Sequence, residues 1–489
     1  MVWISTMGAM LARVGGPVQR AEAGVMGTAG MAGAARSDRA PDIAHRFGSG
    51  CAAACACLTE RASWCPVRRR QLHRIWTLDR CHSRKRMSRD ASRRGLIFVV
   101  VTVLLDVIGI GIVIPVLPKL IVSLTGEGVD RAAIDGGWLI FTYAAMQFLF
   151  APVIGNLSDR FGRRPVLLVS VATFGLDNLV CALAPTLPWL FVGRALSGLS
   201  GGSYTSAAAF IADVSTPETR ARNFGFMGMA FGVGFVLGPV IGGLAGEFGP
   251  RVPFFVAAGV SVLNLLFGFF FLKESLPAEK RRSFSLARAN PLGALREMRK
   301  YPALWPLAAV VVLYQIGHDA NPSVWSYAGK LRFGWSEADI GLSLAAVGIA
   351  MSIVMGGLIG PIVKRFGERR AALIGLSLAA VGFTGYAFAP AGWVMFVFIP
   401  VFAFIGLIDP SLRAIAVGQV AEDAQGELQG AIASLKGLTM VGSPILMTQV
   451  FGFFTGPHAP VYFPGAPFLV AACLMLIGIV ILKCYGRAR

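Results

Sequence analysis

Residues 155–165 read GNLSDRFGRRP, and residues 360–370 read GPIVKRFGERR. Gly155, Arg160, Phe161, Gly162 and Arg164 of the first string recur as Gly360, Arg365, Phe366, Gly367 and Arg369 of the second, each 205 residues further on. Both strings are charged islands between long apolar runs. A chain that interrupts itself twice with nearly the same island is an internal duplication, and its two copies should adopt the same fold.

The composition says in what medium. Of 489 residues, 55% are hydrophobic and only 15% charged, with a mean hydropathy of +0.65. A soluble protein carries about 25% charged residues, so this deficit over such a length indicates a polytopic membrane protein. From Gly95 onward, apolar runs of about 20 residues follow one another, the length that crosses a hydrocarbon core as a helix. Twelve can be placed, six between 95 and 273 and six between 303 and 483. The predicted organisation is a leader over 1–94, an amino-terminal six-helix bundle over 95–273, a cytoplasmic central loop over 274–302, and a carboxyl-terminal six-helix bundle with a short tail over 303–489. The fold class is therefore all-α, with twelve transmembrane helices in two pseudo-symmetric bundles. Each copy of the duplicated island lies between the second and third span of its half. Paired halves of this kind are the architecture of alternating-access transporters, whose site lies between the halves near the midplane.

A net charge of +19 raises the question of a nucleic-acid partner. Residues 1–94 hold 17 basic and 6 acidic residues, leaving 28 and 20 for the remainder. The excess in the membrane part falls in loops on one side. Arg160, Arg163 and Arg164 follow the second span, Arg220 and Arg222 the fourth, Lys280, Arg281, Arg282, Arg288, Arg296, Arg299 and Lys300 the sixth, and Lys364, Arg365, Arg369 and Arg370 the eighth. The opposite loops APTLP (184–188) and APAG (389–392) carry none. This is the charge bias that orients a membrane protein with both termini cytoplasmic, and it calls for no nucleic acid. Residues 1–86 have no sustained apolar run and should be disordered or an over-long gene start, with Met87 as the working first residue. Cys51, Cys55, Cys57, Cys65 and Cys81 fit no zinc spacing, and Cys181, Cys473 and Cys484 read as packing residues.

Ionisable residues inside spans are the functional pointers, because each costs about 2.5–3.5 kcal/mol to insert. Asp106 lies about 11 residues into the first span, about 16 Å along it, with no opposite charge within two turns. It is a proton or substrate site, or else a structural carboxylate. Asp177 and Arg194 flank the loop between spans three and four, where an antiparallel hairpin brings them to similar depth and leaves pairing open. Asp409 and Arg413 stand four apart, the spacing at which helical side chains meet, and can neutralise each other. His318 and Asp319 fall toward the outer end of span seven, as a proton-exchanging pair or a solvated one. Gln147, Trp325 and Tyr327 are candidates to line a cavity.

The motifs also have two readings each. Gly155 and Gly162 permit a tight turn, Asp159 can pair with an arginine or cap a helix, and Arg160, Arg163 and Arg164 face the anionic leaflet. That reads as a conformational latch, against a simple basic anchor. In GVGFVLGPVIGG (232–243), Gly234, Gly238, Gly242 and Gly243 recur at helical spacing around Pro239, which suits close helix approach and a bend.

GNLSDRFGRRPVLL resembles the loop motif of the major facilitator superfamily, and GVGFVLGPVIGG resembles the fifth-helix motif of its drug/proton antiporters. LLDVIGIGIVIPVLPKL, FIADVSTPETRARNFGFMGMAFGVGFVLGPVIGG, RFGWSEADIGLSLA and QGELQGAIASL look like the bacterial tetracycline/proton antiporters, over roughly 95–485. The resemblance implies proton-coupled efflux of a small amphipathic compound, tetracycline or a related drug, by a monomer in the bacterial inner membrane, with substrate, protons and bilayer as its partners. It also implies that the fifth helix limits leakage. Those exporters carry an acidic residue in the ninth span and a histidine in the eighth, where this chain has apolar stretches around Ala379 and Met351. The alternatives are a sugar or organic-acid symporter or facilitator of the same fold, and a non-transporting receptor or scaffold. No phosphate loop, nucleophilic triad or metal-ligand cluster is legible, so no enzyme, cofactor or metal is expected.

Overall fold

The protein is described by a computed structural model that covers residues 95–285, 300–421 and 424–485. The predicted leader and residues 286–299 of the predicted central loop lie outside the described residues. Among the described residues, nine helices are long and apolar enough to cross a membrane. One of these, Glu337–Phe388, is two rods, since Gly367 at φ 77° folds it back on itself. Leu187–Ser200 and Gly202–Val214, broken at Gly201, make the fourth span, and the more polar Trp305–Phe333 makes the seventh. Span two is Val129–Phe161, span three Arg163–Leu183, span five Pro217–Gly246, span six Val252–Phe271, span eleven Gln425–Thr455 and span twelve Ala466–Tyr485, so that the described residues carry twelve spans in two bundles.

Prolines and glycines account for most breaks. The first span stops at Val113 and resumes over Leu117–Thr125, with Pro115 and Pro118 at the interruption, where a ring in place of an N–H ends the hydrogen-bond ladder. The eighth carries a π turn at Val354–Leu358 containing Gly356 and Gly357. The tenth runs over Gly392–Phe402, tightens to a 3₁₀ turn at Ala403–Leu407, and continues as Ile408–Val417. Span seven reaches Phe333 and ends on Gly334 in the left-handed conformation, with Lys330 and Arg332 in its last turn, where cations favour the carboxyl end of the helix dipole.

The surface is apolar and the interior is small and close-packed, as hydrocarbon solvent requires. Leu263, Phe269, Phe270 and Phe271 of span six are exposed, whereas Trp325, Tyr386 and Phe468 are fully buried. With no hydrophobic drive between helices in lipid, van der Waals packing and hydrogen bonds hold the bundles. Trp325 meets Tyr386 at 5.0 Å between ring centroids, edge to face, and its indole N–H donates to Ser343 of span eight at 2.8 Å. Trp325 and Tyr327, expected to line a cavity, are instead core residues. The Trp325 ring has its hydrogen-bond partner on the neighbouring helix and is better used inside, while Tyr327 packs its ring against Gly136 of span two.

The bundles meet along two antiparallel helix pairs, spans two with eleven and five with eight. A Cβ on Gly137 would come within 1.9 Å of Thr448 Oγ1, and one on Gly243 within 2.5 Å of the Glu337 carbonyl. These contacts lie on the side away from the basic loops. There Ser326 Oγ donates to the Ile114 carbonyl at 3.2 Å, and Glu337 accepts from Lys119 of one half at 3.2 Å and Lys330 of the other at 2.6 Å. Toward the basic-loop side the helices diverge: Gly225, Gly228, Gly356, Gly357 and Gly426 have open space where a side chain would start. The structure is closed at one end and open at the end that carries the basic loops.

Candidate functional site

In the amino-terminal half the polar residues point inward. Asp106 sits in the continuous helix Gly95–Val113 and receives hydrogen bonds from Asn264 of span six, 3.5 Å to Oδ1, and from Ser203 of span four. Asn264 in turn accepts from Thr102 at 3.2 Å. Both of its partners are neutral, and among the described residues no ion pair reaches Asp106.

Asp177 and Arg194 do pair. Arg194 Nη2 lies 3.2 Å and 3.3 Å from the two carboxylate oxygens, and the Asp177 side chain is wholly buried. The Cys181 thiol adds a weak donor to Asp177 at 3.4 Å. One cation here meets one anion, and the pair is closed. Gln147 lies against the break in span four, where a Cβ on Gly201 would come within 2.6 Å of its Nε2, and it shares a hydrogen bond with Tyr143.

The first charged island is a knot of its own half. Gly162 takes φ 105°, open to glycine and strained for other residues, and Glu274 fills the space a side chain would need. Glu274 accepts from the backbone N–H of Arg163 at 2.8 Å and of Arg164 at 3.2 Å. Arg163 bridges Asp159 at 2.6 Å and Asp213, the end of span four, at 3.1 Å. Arg164 donates to the Phe269 carbonyl at 2.7 Å, capping span six. Arg160 stacks over Phe161 at 5.2 Å.

The second island repeats part of this. Gly367 again has positive φ, and Arg369 donates at 3.1 Å to the carbonyls of Leu482 and Lys483, capping span twelve as Arg164 caps span six. The copy has no carboxylate where the first has Asp159: Lys364 stands there and is exposed, and Glu368 stands in the place of Arg163. We therefore expect Asp159→Asn to slow transport about tenfold, the effect of about 1.4 kcal/mol on the balance of states, with Lys364→Asn near wild type. Equal transport rates in the two purified variants would make the island an anchor.

The glycines of 232–243 serve two neighbours. Gly234, Gly238 and Gly242 face span one, where a Cβ on Gly242 would come within 2.1 Å of the Ile112 carbonyl, while Gly243 and the Pro239 carbonyl meet Glu337 and Gly341 of span eight. Span five is thus wedged between its own half and the other.

The carboxyl-terminal half holds two polar groups around Tyr314. His318 and Asp319 lie at the middle of the helix Trp305–Phe333, not toward its outer end, because span seven continues past residue 326 to the Gly334 cap. Buried Asp319 accepts from Gln315 at 2.8 Å and from Ser443, and half-buried His318 Nδ1 lies 3.4 Å from it. On the other side, Asp409 is shared: Arg413 Nε donates to Oδ2 at 3.1 Å and Lys436 to Oδ1 at 2.8 Å. Gln429 takes Arg413 Nη1 at 3.0 Å, and Lys436 lies 5.8 Å from the Tyr314 ring centre. Lys436, Gln429, Gln315, Ser443 and Tyr314 were not singled out from the sequence. The signal was present, since Lys436 stands inside a predicted span, read as 429–453, and 429, 436 and 443 share one helical face. Among the described residues no group of His, Cys, Asp and Glu side chains could hold a metal ion.

Twelve helices in two bundles that close at one end and open at the other, with ionisable side chains inside, define a membrane carrier of the alternating-access kind. The chain belongs to the Major Facilitator Superfamily, whose family model matches residues 99–444 and 327–488. It is 40% identical over 386 residues to the tetracycline resistance protein, class C, of Escherichia coli, a match that covers 79% of this chain and 96% of that protein. With the class B protein of Escherichia coli it shares 34% over 355 residues, 72% of this chain and 87% of that one. In fold it is similar to the crystal structure of the human organic anion transporter MFSD10, with a TM-score of 0.61 and 24% identity over 80% of this chain and 99% of that one.

Proposed function

We propose that the protein is a proton-coupled exporter of a tetracycline-like compound, seated in a bacterial inner membrane with both termini in the cytoplasm, and that it works as a monomer. The observation that carries this reading is Asp106, an intramembrane carboxylate met only by neutral donors. A carboxylate without a fixed cation can be charged or neutral as the cycle requires, whereas Asp177 has the Arg194 guanidinium against both of its oxygens. The substrate class comes from the names of the curated relatives, which are tetracycline resistance proteins.

With the basic loops in the cytoplasm, the conformation described here faces inward. In this state Asp106 releases its proton and substrate enters between the bundles. When the cavity turns outward, Asp106 takes up a proton and substrate leaves, so that protons moving in drive drug out. The His318/Asp319 pair is a second candidate carrier. The Asp159–Arg163–Asp213 chain and the glycine face of span five set which conformations are reached. No catalytic chemistry is assigned to any residue.

The test is expression in a drug-sensitive host with a compound panel that includes tetracyclines. Raised tolerance to one or more tetracyclines, lost when the membrane proton gradient is collapsed, is the expected outcome. Tolerance that persists without the gradient, or none to any compound with the protein in the membrane, would overturn the reading.

A further inference from the structure

The two intramembrane ion clusters differ in their charge balance. At Asp177 one carboxylate meets one guanidinium, and the carboxylate is 0% exposed. At Asp409 one carboxylate meets two cations, Arg413 and Lys436, and the three side chains are 28%, 36% and 19% exposed. Asp319 does not redress the excess, since it lies across Tyr314 with Gln315, Ser443 and His318 as its donors.

Depth makes that excess costly. Lys436 stands eleven residues beyond the Gln425 start of its 31-residue helix, about 16 Å at 1.5 Å per residue, past the point where a helix of that length enters a hydrocarbon core of about 30 Å. Part-exposed charges at such depth face a water-filled space between helices and not lipid. A carboxylate has about four acceptor sites, and Asp409 spends one oxygen on each cation. Neither cation is engaged by both oxygens, and among the described residues Arg413 Nη2 has no acceptor. Gln429 fixes the plane of the guanidinium by holding Nη1.

We propose that Arg413 and Lys436 receive an ionised acidic group of the cargo, a carboxylate or enolate, and that Asp409 is the internal counter-ion that holds them when the site is empty. This names the substrate chemistry of the transporter proposed above and rests on that reading. The planar guanidinium offers the cargo a paired contact, and the ammonium a point charge against the Tyr314 ring. Loading brings the local sum of charges to zero, so the occupied cluster is the cheaper one to carry through a conformational change.

The test uses the full chain in lipid nanodiscs and two probes of one shape, 2-naphthoate and 2-naphthamide, titrated by calorimetry against empty discs. Wild type should bind the carboxylate about tenfold tighter than the amide or more, the discrimination expected of a charge-assisted contact. Arg413→Gln and Lys436→Gln should each remove most of that preference and leave amide binding unchanged. Asp409→Asn is the decisive variant, because an internal competitor and a structural brace predict opposite signs. Carboxylate affinity should rise several-fold when the competitor is neutralised. A wild type without preference, or a fall in carboxylate affinity in folded Asp409→Asn, would overturn the proposal. Absent preference alongside gradient-driven tetracycline flux sinks this site alone; clear preference without any flux sinks the transport reading and leaves the site.

Discussion

Asp106→Asn should insert and fold like the wild type yet lose uphill efflux. Asparagine keeps the size of the side chain and can still accept from Asn264, now 3.5 Å from the carboxylate, so the packing of spans one and six is retained. What it removes is titration. A gradient of about two pH units is worth about 2.7 kcal/mol per coupled proton, enough for about a hundredfold concentration difference across the membrane. In reconstituted vesicles the variant should equilibrate substrate to about a one-to-one ratio while still exchanging labelled for unlabelled substrate. If Asp106→Asn concentrates substrate as wild type does, Asp106 is structural and the proton must be carried by Asp177, His318 or Asp319.

Asp177→Asn should cost stability as well as activity. It leaves the Arg194 guanidinium, 15% exposed, without its counter-charge inside the bundle. Removing one partner of a buried pair costs about 3–5 kcal/mol, against a total of about 5–15 kcal/mol for a typical protein. Replacing both, as Asp177→Asn with Arg194→Gln, removes the stranded charge and should recover most of the loss. Thermal unfolding of the purified variants in detergent reads this directly. A single variant as stable as wild type would show that the pair is not a brace, and a stable but inactive double variant would assign it to transport.

How far the sequence could be read depended on whether a feature was local or required facing directions. The duplicated islands were legible because their charges interrupt apolar runs, and the glycines at 162 and 367 both prove to turn the chain at positive φ. The shared capping of spans six and twelve by Arg164 and Arg369 was not legible, since it needs helix ends more than 100 residues away. The hairpin between spans three and four set the depth of Asp177 and Arg194, but only coordinates could show that they face each other. The depth of His318 was misjudged because the polar turn around Lys330 looked like loop, while Gly334 in fact sets the helix end. Trp325 and Tyr327 were misplaced for a related reason: hydropathy does not distinguish an aromatic residue that lines a cavity from one that fills a core. Arg413 was found by its spacing from Asp409, whereas Lys436, on a different helix, was signalled only by its charge inside an apolar span and not by any spacing from Asp409.

The most direct test of antiport is made in inside-out membrane vesicles energised to be acidic within. Adding tetracycline should bring its own uptake and, at the same time, a measurable loss of the pH gradient, both absent from vesicles without the protein and both abolished by a protonophore. Uptake that leaves the gradient untouched, or a gradient that drives substrate out of the vesicles, would contradict the account.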